Sequence, residues 1–398
     1  MILRRAAAVA WAFAALSATA QPAPGVETKS AHYDVYAETF DASEAGAVLD
    51  AVWARLSAYF GSAPERRLRV EIYATQAAMH AGLERDNQWK VNAGGYYAPG
   101  TKKAYLYVQP SDYFTRQLLI HEATHQFHFL AATGNRAPAA EWYTEGLAEY
   151  FGMHNWDGKT LQTGVVPAVS LEDYPAQASK QLALLDDDAA SVALGVTRCD
   201  RPLAWALVHY LVNVRPAWWH ALSGRLDDGE LPSTAWANAC GGCGPDLGRD
   251  LRAWIDAHQQ PFRIAWIAWQ ERGEELEGKA GVVSAAFFKE APASFECEIE
   301  LVSGDLKAGI AFNFRGNEDY CLFQVLGATA RVVHREKGTW KRLALSEVPQ
   351  QEKPSVSLRR EGGELVLSAN GREVFRAASD GDVGLNVEGC CARFRVKP

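Results

Sequence analysis

From Ser30 to Gln109 the apolar positions switch between two periods. The stretches "HYDVYA", "RLRVEIYA" and "KKAYLYVQ" put apolar side chains at alternate positions and predict strands with one buried face. "AGAVLDAVWARLSAYFG" and "TQAAMHAGLER" repeat with the helical period, and the first stops at Gly61. Strands and helices in alternation predict a small α/β layer. From Ser111 to Ala257 the pattern is mostly helical, through "QLLIHEATHQFHFL", "AEWYTEGLAEYFG", "RPLAWALVHYLVNV" and "DLGRDLRAWIDAHQ". After Pro261 it changes again. "FECEIEL", "AGIAFNFRG", "YCLFQVLG", "ARVVHREKGTW" and "DVGLNV" are short apolar runs divided by Gly, Asn and Asp, and "SANGRE" is a hairpin signal. Regular short strands of this kind predict a β-sandwich beginning near Phe262.

The chain of 398 residues has room for two or three domains. Residues 1–20, with Arg4 and Arg5, an apolar run and Ala18-Thr19-Ala20, read as a signal peptide cleaved near Ala20, which predicts a secreted or periplasmic protein. Residues 21–261 and 262–398 then form the two folded parts, an α+β arrangement followed by an all-β sandwich. No later apolar run is long enough to span a bilayer, so no stable membrane insertion is expected. A net charge of -8 excludes the basic footprint of a nucleic-acid binder. The seven cysteines are an odd number for an exported chain, and "CGGC" at Cys240 and Cys243 reads as a tight loop disulfide, because no second C-x-x-C completes a zinc site.

The chemistry is concentrated in "HEATH". On a helix, residues four apart share a face, so His121 and His125 can bind one metal ion while Glu122 reaches a water beside it. A catalytic zinc site needs a third protein ligand and an open position. "EWYTEGLAEYFG" supplies a stripe of Glu141, Glu145 and Glu149, with nineteen residues between His125 and Glu145. His128, near the same face, reads as a packing or hydrogen-bonding residue, and the acids of "LDDDAAS" and the pair Glu318 and Asp319 read as solvated charge.

H-E-x-x-H, that spacing and "EWYTEGLAEYF" together resemble the gluzincin zinc metallopeptidases, and "GGYY" (Gly94 to Tyr97) resembles the segment ahead of the motif in peptidase-MA-like proteins. The resemblance covers Ser30 to His258. It implies a gluzincin-like catalytic domain, with an N-terminal α/β layer and a helical subdomain, that cleaves a peptide or protein substrate. It implies zinc held by His121, His125 and Glu145, Glu122 as general base, and Glu149 as the carboxylate that orients a ligand histidine. It also implies an oxyanion donor. Relatives carry a tyrosine where this chain has Arg201, and Tyr210, His209 and Tyr97 are the other candidates. Residues 262–398 resemble concanavalin-like jelly-roll domains, which implies a carbohydrate ligand; because the proposed ligands and base all fall between His121 and Glu149, far from Phe262, the module is expected to be dispensable for chemistry. Two further readings stand beside the peptidase: a zinc hydrolase of non-peptide amides or esters in cell-wall or glycan material, and a catalytically silent carbohydrate-binding protein with a structural metal site.

Overall fold

The computed structural model describes residues 25–170, 172–241, 244, 246–265 and 269–397. The expected signal peptide and Cys243 lie outside them. Strands β1 (Val26–Lys29), β2 (Tyr33–Ala37), β3 (Leu68–Tyr73), β4 (Gly95–Ala98) and β5 (Lys103–Tyr107) form one sheet in the order β1-β2-β3-β5-β4. The middle three are parallel, with Val35 opposite Val70 and Val70 opposite Ala104, and β1 and β4 are antiparallel edges. Helices α1 (Ala42–Phe60) and α2 (Gln76–Arg85) follow β2 and β3. The Asp41 carboxylate caps α1 by accepting from the Ser43 and Glu44 amides, and Gly61 ends it at φ 65°. One face of the sheet (Val35, Val70, Ile72, Leu106) packs on Val48, Val52 and Leu56 of α1 and on Leu119, Ile120 and Phe127 of α3 (Asp112–Ala131). On the other face Tyr73 and Tyr105 meet Met79 and Leu83 of α2.

Helix α3 is the spine of the molecule. Ser111 caps it by accepting from the Phe114 amide, and every residue from Thr115 to Phe129 is buried. A helix enclosed on all sides has no solvated stripe, so its polar side chains must find partners in the elements around it. The surrounding helices are α4 (Glu141–Gly152), α5 (Tyr174–Leu184), α6 (Ala189–Ala193), α7 (Arg201–Val214), α8 (Pro216–Asp227), α9 (Pro232–Cys240) and α10 (Leu247–Ala257), with a small hairpin of β6 (His154–Trp156) and β7 (Leu161–Thr163). Helices α4 and α7 approach closely at Gly146, where an added Cβ would stand 2.4 Å from the Ala204 carbonyl oxygen.

Two seven-stranded antiparallel sheets follow from Phe262 onward. One runs Arg372–Ala378, Glu364–Ala369, Ser355–Glu361, Ser294–Gly304, Cys390–Lys397, Glu275–Lys279, Trp269–Arg272. The other runs Thr339–Glu347, Thr329–Glu336, Asp319–Leu326, Ala308–Gly316, Asp382–Glu388, Val283–Phe288, Phe262–Ala265. Phe295, Ile299, Leu358 and Phe394 of the first meet Ile310, Phe312, Phe323 and Leu385 of the second in a common core, which makes a sandwich. The chain is therefore α+β with a large C-terminal β-sandwich.

The two parts are not independent at their seam, contrary to the expectation of a detachable module. Arg116 of α3, 1% exposed, pairs with Glu44 at 2.7 Å and donates to Gln270 of the sandwich. Gln270 donates to Glu277 at 2.5 Å, and Glu277 also holds Arg272 and Arg393. Arg272 returns to the Trp156 carbonyl at 2.8 Å, and Asn155 exchanges two hydrogen bonds with the Gly273 backbone. Val169, from the segment ahead of α5, is fully buried in the sandwich core. A chain ending at Pro261 uncovers Arg116 and Val169 together, and a buried charge stripped of a partner is costly. The physical reason is that Arg116 would keep Glu44 on α1 but lose Gln270 of the sandwich, its second partner.

Two predictions follow from packing. Gly146→Ala forces α4 and α7 apart against a backbone atom, so it lowers stability by about 1–3 kcal/mol, read as a lower urea midpoint with an unchanged slope. His154 is fully buried, donates from Nδ1–H to the Gly152 carbonyl at 2.8 Å, and stacks on Tyr113. Burial, and then the charges of Arg116 and Arg272, push its pKa down to about 3. Between the ordinary histidine range and that value the unfolded chain binds the extra proton, so stability falls on acidification through this window, by about 2 kcal/mol at pH 5. Thermal melts from pH 7 to pH 5 should show this slope, and His154→Phe should flatten it.

Candidate metal and catalytic site

Helix α3 presents His121, Glu122 and His125, α4 presents Glu145 and Glu149, and the first residue of α7 is Arg201. The His121 and His125 Nε2 atoms are 3.1 Å apart. Glu145 Oε1 lies 3.4 Å from His125 Nε2, and its Oε2 lies 3.6 Å from His121 Nε2. Ligand atoms about 2.0–2.1 Å from a tetrahedral zinc stand about 3.3 Å from one another, and these three spacings bracket that value. Two imidazole nitrogens and a carboxylate so arranged are a donor set for a borderline-soft cation, and all three ligand atoms fall within 4.8 Å of one another.

The surroundings bias the protonation of His121, Glu122, Glu145 and Glu149. Glu149 is 2% exposed and its Oε1 is 3.1 Å from His121 Nδ1. Burial works against charge on both, yet their mutual attraction prevails, raising the His121 pKa and lowering that of Glu149. In the neutral ring a proton on Nδ1 faces Glu149 and leaves the Nε2 lone pair toward His125 and Glu145. Gln117, one turn before His121, donates to Glu149 at 3.4 Å. Burial also opposes charge on Glu145, but His125, His121 and Arg201 hold its carboxyl well below the usual carboxylate range. Glu122 is the reverse case, because burial raises its pKa and outweighs the two histidines. A carboxyl raised in this way holds a proton more readily than an exposed glutamate does, which suits a group that takes one up and passes it on. At edge strand β4, Gly95 covers Glu122 so closely that an added Cβ would stand 2.8 Å from its Oε1.

Two cavities meet at this cluster. The larger, about 670 Å³, is lined on its polar side by Gln109, Gln117, Gln177, Glu141, Glu172 and Asp200, and on its aromatic side by Tyr107, Phe114, Trp142 and Tyr174. The smaller, about 340 Å³, is lined by Glu122 with Val91, Tyr96, Tyr97, Pro99 and Phe129. His121, Glu145 and Arg201 line both.

The four candidate oxyanion donors separate clearly. Arg201 is at the cluster, with Nε 3.1 Å from Glu145 Oε2 and Nη1 3.7 Å from Glu149 Oε1. Tyr97 lines the smaller cavity, but its hydroxyl donates to Asn135 at 2.7 Å. His209 and Tyr210 line neither cavity. His209 sits between the Gly164 carbonyl at 3.0 Å and Asn213 at 2.9 Å, against Trp205 and Trp254, where burial pushes its pKa down to about 4. The Tyr210 hydroxyl accepts from Arg215 at 3.1 Å. His128 bonds Asp227 at 2.6 Å and stacks on Phe60, a packing role. Sequence reasoning missed Gln117, Glu172 and Tyr174. Only Gln117 carried a signal, since it lies one helical turn before His121 on the same face.

Residues 117–220 match a family described as a protein of unknown function, DUF1570, and the match contains the whole cluster from His121 to Arg201. No curated protein matches the chain. Similar solved structures include a carbohydrate-binding module, CBM66, from Bacillus subtilis, at 18% identity and a TM-score of 0.31, covering 35% of this chain and 96% of that one. A GH43 protein from Bacillus licheniformis is similar at 12% identity and a TM-score of 0.27, covering 34% of this chain and 36% of that one. A protein of unknown function with a galectin-like fold, also from Bacillus subtilis, shares 11% identity at a TM-score of 0.26, covering 34% of this chain and 88% of that one. Among the described residues no helix is long and apolar enough to cross a membrane.

If Glu149 supports His121, Glu149→Ala should weaken zinc affinity about 10–100-fold. A chelator competition, with circular dichroism to confirm folding, measures this; unchanged affinity would leave Glu149 with no part in metal binding.

Proposed function

We propose that this chain is an exported zinc-dependent hydrolase of the gluzincin kind, cleaving an amide or ester bond with Glu122 as general base. The observation that carries the reading is the convergence of His121 Nε2, His125 Nε2 and the Glu145 carboxylate at the spacing of zinc ligands. Bound there, zinc would polarise a carbonyl and lower the pKa of a water toward about 7. Glu122, held beside the cluster by burial under Gly95, takes a proton from the attacking water and returns it to the leaving group. Glu149 keeps the His121 ring oriented. The cavity walls flank the reacting carbonyl and limit the approach of bulk water.

The bond has two candidate settings. A peptide bond is the setting the gluzincin resemblance implies. An amide or ester in cell-wall or glycan material is favoured by the lining of the larger cavity, where glutamines, carboxylates and aromatic rings offer hydrogen bonds and stacking to a hydroxyl-rich group. In that setting the sandwich supplies a carbohydrate-binding surface and raises the local concentration of substrate.

The purified mature protein should hold about one zinc per chain, lose activity to a chelator and regain it with zinc. Glu122→Gln should retain zinc and lose about 10²–10⁴-fold in rate. Parallel digests of a peptide library and of acylated glycan and cell-wall fragments decide the setting. Zinc retained with no hydrolysis of either class would make the chain a silent binding protein and end the enzymatic reading.

A further inference from the structure

We propose that Arg201 is a positioning residue that competes with the metal. Its guanidinium holds the Glu145 carboxylate while the site is metal-free, leaves it when a divalent cation binds, and turns to the acidic wall of the larger cavity. The proposal rests on the zinc reading above.

The geometry makes the competition direct. Glu145 Oε2, one of the oxygens facing the two histidines, is the same atom that lies 3.1 Å from Arg201 Nε. A divalent cation among the three ligands would be a few ångströms from a fixed positive charge, and the repulsion is large in a partly desolvated cleft. The pair is a close ionic contact at 3.1 Å, and a metal that takes up the same oxygen must weaken it to complete its ligand set. Relief cannot come from the backbone. Arg201 opens α7, Pro202 fixes its first turn, and α7 is locked on α4 at Gly146 and Ala204. It can come from the side chain, which is 45% exposed and lines both cavities.

A second resting place lies on the same wall. Glu172 and Asp200 line the larger cavity with Arg201, and neither has an ion-pair partner among the described residues. Glu172 already senses the Arg201 charge, which acts to lower its pKa against burial and the charge of Glu149. The guanidinium can thus exchange Glu145 for Glu172 or Asp200 without losing a carboxylate partner. Once moved, it stands in the cavity that receives the substrate.

A residue that merely props Glu145 predicts the opposite sign from one that competes for it, and that sign is the test. Zinc affinity is measured by competition with a chromophoric chelator at fixed pH for wild type, Arg201→Gln, Arg201→Ala and Arg201→Lys, with Glu149→Ala in the same assay. Removing a charge-assisted contact that zinc must otherwise break should tighten binding about 10–100-fold in the Gln and Ala variants. Arg201→Lys, which keeps the charge without the fork, should tighten it less. The zinc-induced rise in Tm should grow in the same order, because ligand stabilisation follows affinity. Unchanged or weaker zinc binding in folded Arg201→Gln overturns the proposal. If wild type takes up no zinc, and His125→Ala behaves identically, the metal reading fails and this proposal falls with it. If wild type binds zinc through His125 and Arg201→Gln is no tighter, the competition alone is wrong.

Discussion

Burial of α3 on every side leaves its polar groups no recourse to water, and the architecture can be traced from how each is answered. Arg116 reaches Glu44 on α1 and Gln270 in the sandwich. Gln126 donates to the Arg69 and Lys102 carbonyls of the sheet layer. His128 draws in Asp227 at the end of α8, which also accepts from Tyr143 of α4. His121 is met by Glu149 of α4. Each partner comes from a different element, so the cost of leaving a buried polar group unmatched orients the layer, the helices and the sandwich around one axis. The candidate metal cluster is where the answer from α4 meets Arg201, the first residue of α7, on a single face.

That face also explains the division of the cleft. Edge strand β4 closes over Glu122 at Gly95, while Glu172, just ahead of α5, and Tyr174, its first residue, stand on the other side. His121, Glu145 and Arg201 stand between them as a partition with two unlike chambers, one mostly apolar and one polar with aromatic walls. Shape and chemistry thus differ on the two sides of the bond to be broken. That asymmetry lets a cleft orient its substrate as well as hold it.

Much of this was legible in the sequence where local periodicity carries the information. The spacing of His121, His125 and the Glu145–Glu149 stripe is a rule of helix geometry, and the structure juxtaposes those residues as the rule requires. The alternating runs after Pro261 appear as sandwich strands for the same reason. What depends on the meeting of distant segments was not legible. Tyr210 is nine residues beyond Arg201 on one straight helix, which at about 100° per residue puts it on the opposite side and about 13 Å further along, so the two could not both face the cluster. No pattern in the sequence marks Glu172 as a wall residue, because irregular segments have no period to read. Nothing in the sequence pattern sets Arg116 apart, and only the enclosing structure reveals it as a buried charge shared between Glu44 of α1 and Gln270 of the sandwich.

The segment ahead of α5 places Val169 in the sandwich core and, three residues later, Glu172 on the wall of the larger cavity. For the history of the protein this has a consequence. Modules that join through a flexible linker can be exchanged between genes with little adjustment, because each keeps its own interior. Here the helical part donates a peg to the interior of its neighbour and borrows Gln270 to satisfy its own arginine. A recombination event that substituted another sandwich would strand both, and would shift the same short stretch of chain that shapes the cleft. The two halves are thus expected to have been inherited and modified together, with the recognition surface of one and the pocket of the other changing as a pair.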